Sequence, residues 1–320
     1  MKLKPFRFML FTSLVLLALA VPAFAQDATP EVMMPAALAV TIDVPDIQPE
    51  GVEYDAAAGR FLFGSLSEGT IRQVTDDGMV STFVEDPDLG STVGIHIDAA
   101  NHRLLITNSD SSVFQDQAAA GQAGLAAYDL DSSERLFLVD LAAVASDGRN
   151  FANDVTVDAE GNAYVTNSFS PIIYKVDMDG NAEVFARDDR FTGQPVGLNG
   201  IEFHPNGYLL ASVTGGQKLY KIPLDDPANI TEVALSEPFG ADGIALGPDG
   251  VLFAVANTST GQEVLALISD DDWASAQIAA RTPTTGGATT LAIRDGEPWY
   301  INAFTQTPPY AVTRAELTAG

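Results

Sequence analysis

Four residues in this 320-residue chain, Glu50, Asn153, Asn199 and Asp242, are of types that hold hard cations and share one position in a recurring pattern. Each stands one residue before an apolar run: Gly51-Val52-Glu53-Tyr54, Asp154-Val155-Thr156-Val157, Gly200-Ile201-Glu202-Phe203 and Gly243-Ile244-Ala245-Leu246. Two carboxylates and two carboxamides make an all-oxygen donor set suited to Ca²⁺, Mg²⁺ or Mn²⁺. Zn²⁺ is a further candidate where carboxylates dominate. Each dipeptide alone is weak, because Asn-Gly and Asp-Gly are everyday turn signals. Their shared position at the start of a repeat is what joins them.

The repeat is clearest from Gly197 to Thr214, where Ile201 and Phe203 alternate into a Pro205-Asn206-Gly207 turn, followed by a second apolar run from Tyr208 to Val213. That is the pattern of a β-hairpin. Further copies start at Gly51, Gly94, Asp154, Gly243 and Thr290, giving spacings of 43, 60, 46, 43 and 47 residues. Periods of roughly 40 to 50 residues fit four-stranded propeller blades. The expectation is an all-β, six-bladed β-propeller, in which radial repetition protects sheet edges. Only three strands follow the sixth start, so the apolar stretch 37–44 is expected to supply the fourth and close the ring. One domain, 37–320, results.

In a propeller the residues before a blade's first strand and after its second share one face. Ser65, Asn108, Asn167, Thr214, Asn257 and Asn302 occupy the second position. They either bond their own turns or line a polar pocket; Asn108, Asn167 and Asn257 are the candidates for substrate contact. The second repeat is lengthened by Ser109 to Gly124, on that same face, as a lid or a surface excursion. His96, His102 and His204 show no ligand spacing and are expected to be structural, and Asp177 to Asn181 is expected to be a turn.

Residues 1–25 have the form of a secretory leader: Lys2, Lys4 and Arg7, an apolar core, then Ala23-Phe24-Ala25. The core of about 14 residues falls short of the roughly 20 that span a bilayer. Residues 26–36 are polar and Pro-containing, and a disordered lead-in is expected there. Export to a periplasm or the medium follows, with no membrane attachment after cleavage. The net charge of −27 argues against nucleic acid as a partner. With no Cys in the chain, thiolate metal sites and Cys nucleophiles are excluded. Oligomeric state is left open.

With these motifs in place, the chain resembles the regucalcin and gluconolactonase (senescence marker protein) family across nearly all of its length after the leader. The likeness rests on Pro49-Glu50-Gly51-Val52, Asn153-Asp154, Asn199-Gly200-Ile201 and Asp242-Gly243-Ile244. It implies one divalent cation, calcium first, held at the propeller axis by Glu50, Asn199 and Asp242, with Asn153 beside it. It implies a lactone- or ester-hydrolysing enzyme acting on a small molecule, with Asp242 as general base. The alternative is a non-catalytic propeller that binds a small molecule or partner around a structural cation. Sugar-lactone members often carry Arg two residues before the first Asn; here Phe151 stands there, and Arg149 lies further back. A more apolar pocket is expected, with Phe151, Phe169 and Phe304 as candidate walls.

Overall fold

Alternating apolar residues give the chain strands with one buried set of side chains, and tight turns return each strand on its neighbour. In the fourth repeat Gly207 makes that turn at φ +86°, where a side chain would be strained; in the second, His102 takes a similar position at φ +56°. The computed structural model describes residues 38–303 and 309–319. The expected leader (1–25), the lead-in (26–36) and Phe304 lie outside the described residues.

A short strand, β1 (Ala39–Ile42), precedes a series of antiparallel meanders. The first is β2 (Pro49–Asp55), β3 (Arg60–Ser65), β4 (Thr70–Thr75) and β5 (Val80–Glu85). The second is β6 (Ser91–Asp98), β7 (Arg103–Ser109), β8 (Gly121–Asp129) and β9 (Arg135–Asp140). The third is β10 (Asn150–Val157), β11 (Ala163–Asn167), β12 (Ile172–Val176) and β13 (Ala182–Arg187). The fourth is β14 (Leu198–His204), β15 (Tyr208–Val213), β16 (Lys218–Pro223) and β17 (Thr231–Glu232).

After the two-residue β18 (Ala234–Leu235), the fifth is β19 (Gly240–Leu246), β20 (Leu252–Thr258), β21 (Gly261–Ile268) and β22 (Ser275–Pro283). The sixth is β23 (Ala288–Arg294), β24 (Glu297–Asn302) and β25 (Tyr310–Arg314), and its fourth strand is β1, antiparallel to β25 with Val40 opposite Val312. The terminal β26 (Thr318–Ala319) runs back to pair with β22.

The first strand of each meander lies against that of the next, from β2 through β6, β10, β14, β19 and β23, and β23 lies against β2. Apolar clusters bridge consecutive sheets in the same order. Ile95, Leu104 and Ile106 meet Leu62 and Ile71 between the first and second, and Phe61 and Phe63 meet Trp299 and Ile301 between the first and sixth. The architecture is all-β, of the propeller type, and without Cys its stability rests on these clusters. Among the described residues no helix is long and apolar enough to cross a membrane.

Arg294 joins the last meander to the first. Its Nη1 and Nη2 donate to the Asp76 carboxylate, each at 2.7 Å, and its guanidinium lies 4.9 Å from the Tyr54 ring centre and 5.2 Å from that of Trp299. Arg294→Ala is expected to lower unfolding stability by about 1–3 kcal/mol, through lost aromatic stacking and cover. Asp76→Ala removes only an exposed carboxylate and is expected to cost under about 1 kcal/mol. Urea titration of both variants checks the difference.

Candidate functional site

All six first strands break register at the same place. The shift falls between Pro49 and Val52, Thr92 and Ile95, Ala152 and Val155, Leu198 and Ile201, Ala241 and Ile244, and Ala288 and Leu291. The two residues inside each shift form a β-bulge, which re-aims a side chain out of the sheet alternation. The first bulge residues are Glu50, Val93, Asn153, Asn199, Asp242 and Thr289. The second are mostly Gly, for a steric reason. A Cβ on Gly51 would sit 2.2 Å from the Val93 carbonyl oxygen, and one on Gly200 2.7 Å from that of Asp242. The site residues therefore lie within the strands, at bulges, rather than ahead of them as the sequence suggested.

Hydroxyls from neighbouring meanders hold the bulges in place. Thr107 donates to the Asn153 carbonyl at 3.1 Å, Thr166 to that of Asn199 at 2.7 Å and Thr289 to that of Glu50 at 3.0 Å. Five of the six first bulge residues, Glu50, Asn153, Asn199, Asp242 and Thr289, line two cavities at once: a polar axial cavity of about 190 Å³ and an outer one of about 470 Å³. The sixth, Val93, packs on Val113 and Phe151 instead. Sequence reasoning missed Thr289, although it too precedes a repeat start.

Among the described residues no Lys or Arg lines either cavity. Burial, then the fields of Asp242 and Asp154, push the Glu50 carboxyl well above the usual range. Burial raises Asp242 to about 7, opposed by the 2.8 Å hydrogen bond it accepts from Asn199 Nδ2. Asn153 Nδ2 donates to Ser168 Oγ at 3.0 Å. Two carboxylates lining one cavity with no Lys or Arg beside them, flanked by carboxamides, fit a hard divalent cation in donor chemistry. Among the described residues no group of three or more His, Cys, Asp or Glu is placed to share an ion. Glu50 and Asp242 would therefore need a carboxamide oxygen, with Asn199 turned from its present bond, and solvent or substrate to complete the shell.

Deeper in the axial cavity lie Glu53, His96, Asp154 and Glu202. Burial opposes charge on His96, but Glu53 at 3.3 Å, Glu202 and Asp154 outweigh it and raise its pKa to about 9. Burial lifts Asp154 and Glu202 each to about 7, against hydrogen bonds from the Ile201 and Leu246 amides. His96 is thus an axial residue, unlike the turn residue His102 and unlike His204, which stacks on Tyr208. A strand alternation alone does not reveal which face points down a channel.

The strand-end polar residues divide. Thr214 and Asn257 line the outer cavity. Asn108 does not: its Oδ1 accepts from Gly90 N and its Nδ2 donates to the Asp88 carbonyl. Nor does Asn167, whose Oδ1 accepts from the amides of Phe151, Phe169 and Ser170 and whose Nδ2 donates to Asn150 and Tyr174. Both carboxamides are buried and their hydrogen bonds go to the protein's own backbone and side chains rather than to the outer cavity. Ser65 donates to the Ile47 carbonyl and Asn302 Oδ1 accepts from the Ala311 amide, so both are bonded to backbone as well. The Asp177–Asn181 segment is a turn, closed on the Asp177 carboxylate.

Phe151 lines the outer cavity, as does Phe114 from the inserted loop; Phe169 packs behind both, at 6.3 and 5.5 Å between ring centres. Arg149 stacks on Phe169 at 4.1 Å and donates to the Val113 carbonyl at 2.6 Å, away from the cavity lining.

Residues 48–286 match the family described as SMP-30/Gluconolactonase/LRE-like region. Among solved structures, the major allergen Mala s 1 of Malassezia sympodialis superposes with a TM-score of 0.73 at 20% identity, covering 88% of this chain and 96% of the allergen. A regucalcin of Agrobacterium tumefaciens, described as a calcium-binding protein, gives 0.59 at 17%, covering 88% and 95%. A luciferin-regenerating enzyme gives 0.60 at 13%, covering 85% and 93%. At these identities the likenesses speak to fold. No curated protein matches the sequence.

Proposed function

The chain belongs to the SMP-30/gluconolactonase/LRE-like family, and from that premise we propose that it is an exported, cation-dependent hydrolase of small lactones or esters. In this reading the six meanders are the blades of one ring closed by β1, and the leader 1–25 is removed on export. The observation that carries the reading is the pair Glu50 and Asp242, set with no Lys or Arg among the described lining residues at the boundary of a polar axial cavity and a larger outer one.

Glu50, Asn199 and Asp242 would hold the cation, calcium first, with Asn153 and Thr289 beside it. When bound, it supplies polarisation of a lactone carbonyl and a lowered pKa for nearby water. The chain's own part is positional and proton-transferring. The outer cavity admits the substrate and sets its carbonyl against the bulge residues. Before the cation binds, Asn199 Nδ2 holds the Asp242 carboxylate through Oδ1. We assign Oδ2 to take the proton as water oxygen bonds the carbonyl carbon; that proton then passes to the alkoxide released when the ring C–O bond breaks.

The purified protein, stripped of metal and then resupplied with Ca²⁺, Mg²⁺, Mn²⁺ or Zn²⁺, is expected to hydrolyse members of a lactone and ester panel only after resupply. Cation binding with no turnover of any member would replace the enzyme by a non-catalytic binding propeller.

A further inference from the structure

The outer cavity carries information about what it admits. Its volume, about 470 Å³, lies within the roughly 300–1,000 Å³ of small-ligand sites. Leu66, Phe114, Phe151, Pro195 and Val196 supply its apolar lining. Its three hydroxyls are already used by the protein: Ser111 donates to the Leu66 carbonyl at 3.0 Å, Thr214 to that of Ala241 at 2.5 Å and Thr289 to that of Glu50 at 3.0 Å. The remaining polar side chains beside the carboxylate end, those of Gln48, Gln115 and Asn257, are exposed at the rim. A polyhydroxylated ring needs hydrogen-bond partners in depth, and its hydroxyls would lose water here without replacement.

The wall that distinguishes this cavity is Phe114. It belongs to the loop 110–120 between β7 and β8 and remains half exposed, its ring 4.9 Å from that of Phe151 in an edge-on contact. The loop is fastened from below. Val113 is buried with Val93 and Phe151, Asp110 caps the Ser111–Phe114 turn of 3₁₀ helix, and Arg149 holds the Val113 carbonyl. Phe114 is thus an exposed aromatic surface on a supported platform rather than the tip of an unanchored excursion.

We propose that the outer cavity selects neutral lactones bearing an alkyl chain, with Phe114 as the specificity-determining residue and the chain lying between Phe114, Phe151, Leu66 and Val196. The inference rests on the hydrolase reading for the position of the lactone carbonyl, but the subsite itself can be measured separately.

The test compares γ-butyrolactone, its γ-alkyl homologues and glucono-δ-lactone as substrates, and the γ-alkyl γ-lactams as hydrolysis-resistant ligands in calorimetry, using the cation-loaded protein and its Phe114→Ala variant. Turnover efficiency and lactam affinity are expected to rise about three- to fourfold per methylene until the cavity is filled. Phe114→Ala is expected to raise KM for the long-chain lactones about tenfold, with a smaller rise for γ-butyrolactone, so that the gain per methylene shrinks in the variant. A flat response to chain length, or glucono-δ-lactone as the preferred substrate, would overturn the proposal and leave the hydrolase reading intact. Chain-length-dependent lactam binding with no lactone turned over would uphold the apolar subsite and remove the hydrolase reading.

Discussion

Asp242→Asn is expected to lower lactone turnover by about a thousandfold and, in the same protein, to raise the melting temperature of the metal-free state. The two effects have one cause. Asp242 is a carboxylate kept at about 7 by burial, beside Glu50, whose own carboxyl its charge helps to raise. Asn has nearly the same shape and its Oδ1 can still accept the Asn199 amide that Asp242 now accepts at 2.8 Å. What disappears is a charge and a proton acceptor. Without the charge, Glu50 ionises more easily and an unfavourable burial is relieved, so the fold gains. Without the acceptor and ligand, the reaction loses its base. A variant that merely misfolded would lose both stability and turnover, and thermal melting beside the activity assay separates the two cases.

The metal-free protein is expected to lose stability as pH rises from about 4 to 9, and Ca²⁺ is expected to restore it increasingly toward the upper end. Asp154, Glu202 and Asp242 have folded-state values near 7, above those of an unfolded chain. Between about pH 4 and 7 the folded state therefore holds more protons, and stability falls as pH rises through that window. His96 adds the same sign higher up: its value of about 9 gives stability that is complete below about 6.5 and is lost as pH climbs through 9. One carboxyl moved from near 4 to near 7 sets a scale of roughly a few kcal/mol. The chain's net charge of −27 acts in the same direction, so the Asp242→Asn curve is the control: it should be flatter through the acid window. Melting curves across this range, with and without Ca²⁺, read the effect directly.

Much of this architecture was legible in the residues. Hairpin punctuation such as Pro205-Asn206-Gly207 and the recurrence of the apolar starts identified the strands, and the missing fourth strand of the last repeat pointed to 37–44, whose core is β1 paired with β25. Glu50, Asn153, Asn199 and Asp242 were legible because a repeat aligns positions without any structure. What sets those positions was not: a β-bulge has no signature beyond a Gly that turns also favour, so the close approach of Gly51 to Val93 is visible only in three dimensions. The same gap explains Asn108 and Asn167. Their recurrence after the second strand was real, but which backbone amides they satisfy depends on loop paths that spacing does not encode. Phe114 went unnoticed because an Ala/Gln/Gly-rich insertion gives no periodicity from which to read a face.

The most direct test of the axial site is a calorimetric titration of the metal-stripped protein with Ca²⁺, repeated on Glu50→Gln and Asp242→Asn. One equivalent per chain bound by the wild type, weakened at least about a hundredfold in each variant, is the result expected. Absence of binding by the wild type, or binding undiminished in both variants, would contradict the assignment of the cation to Glu50 and Asp242.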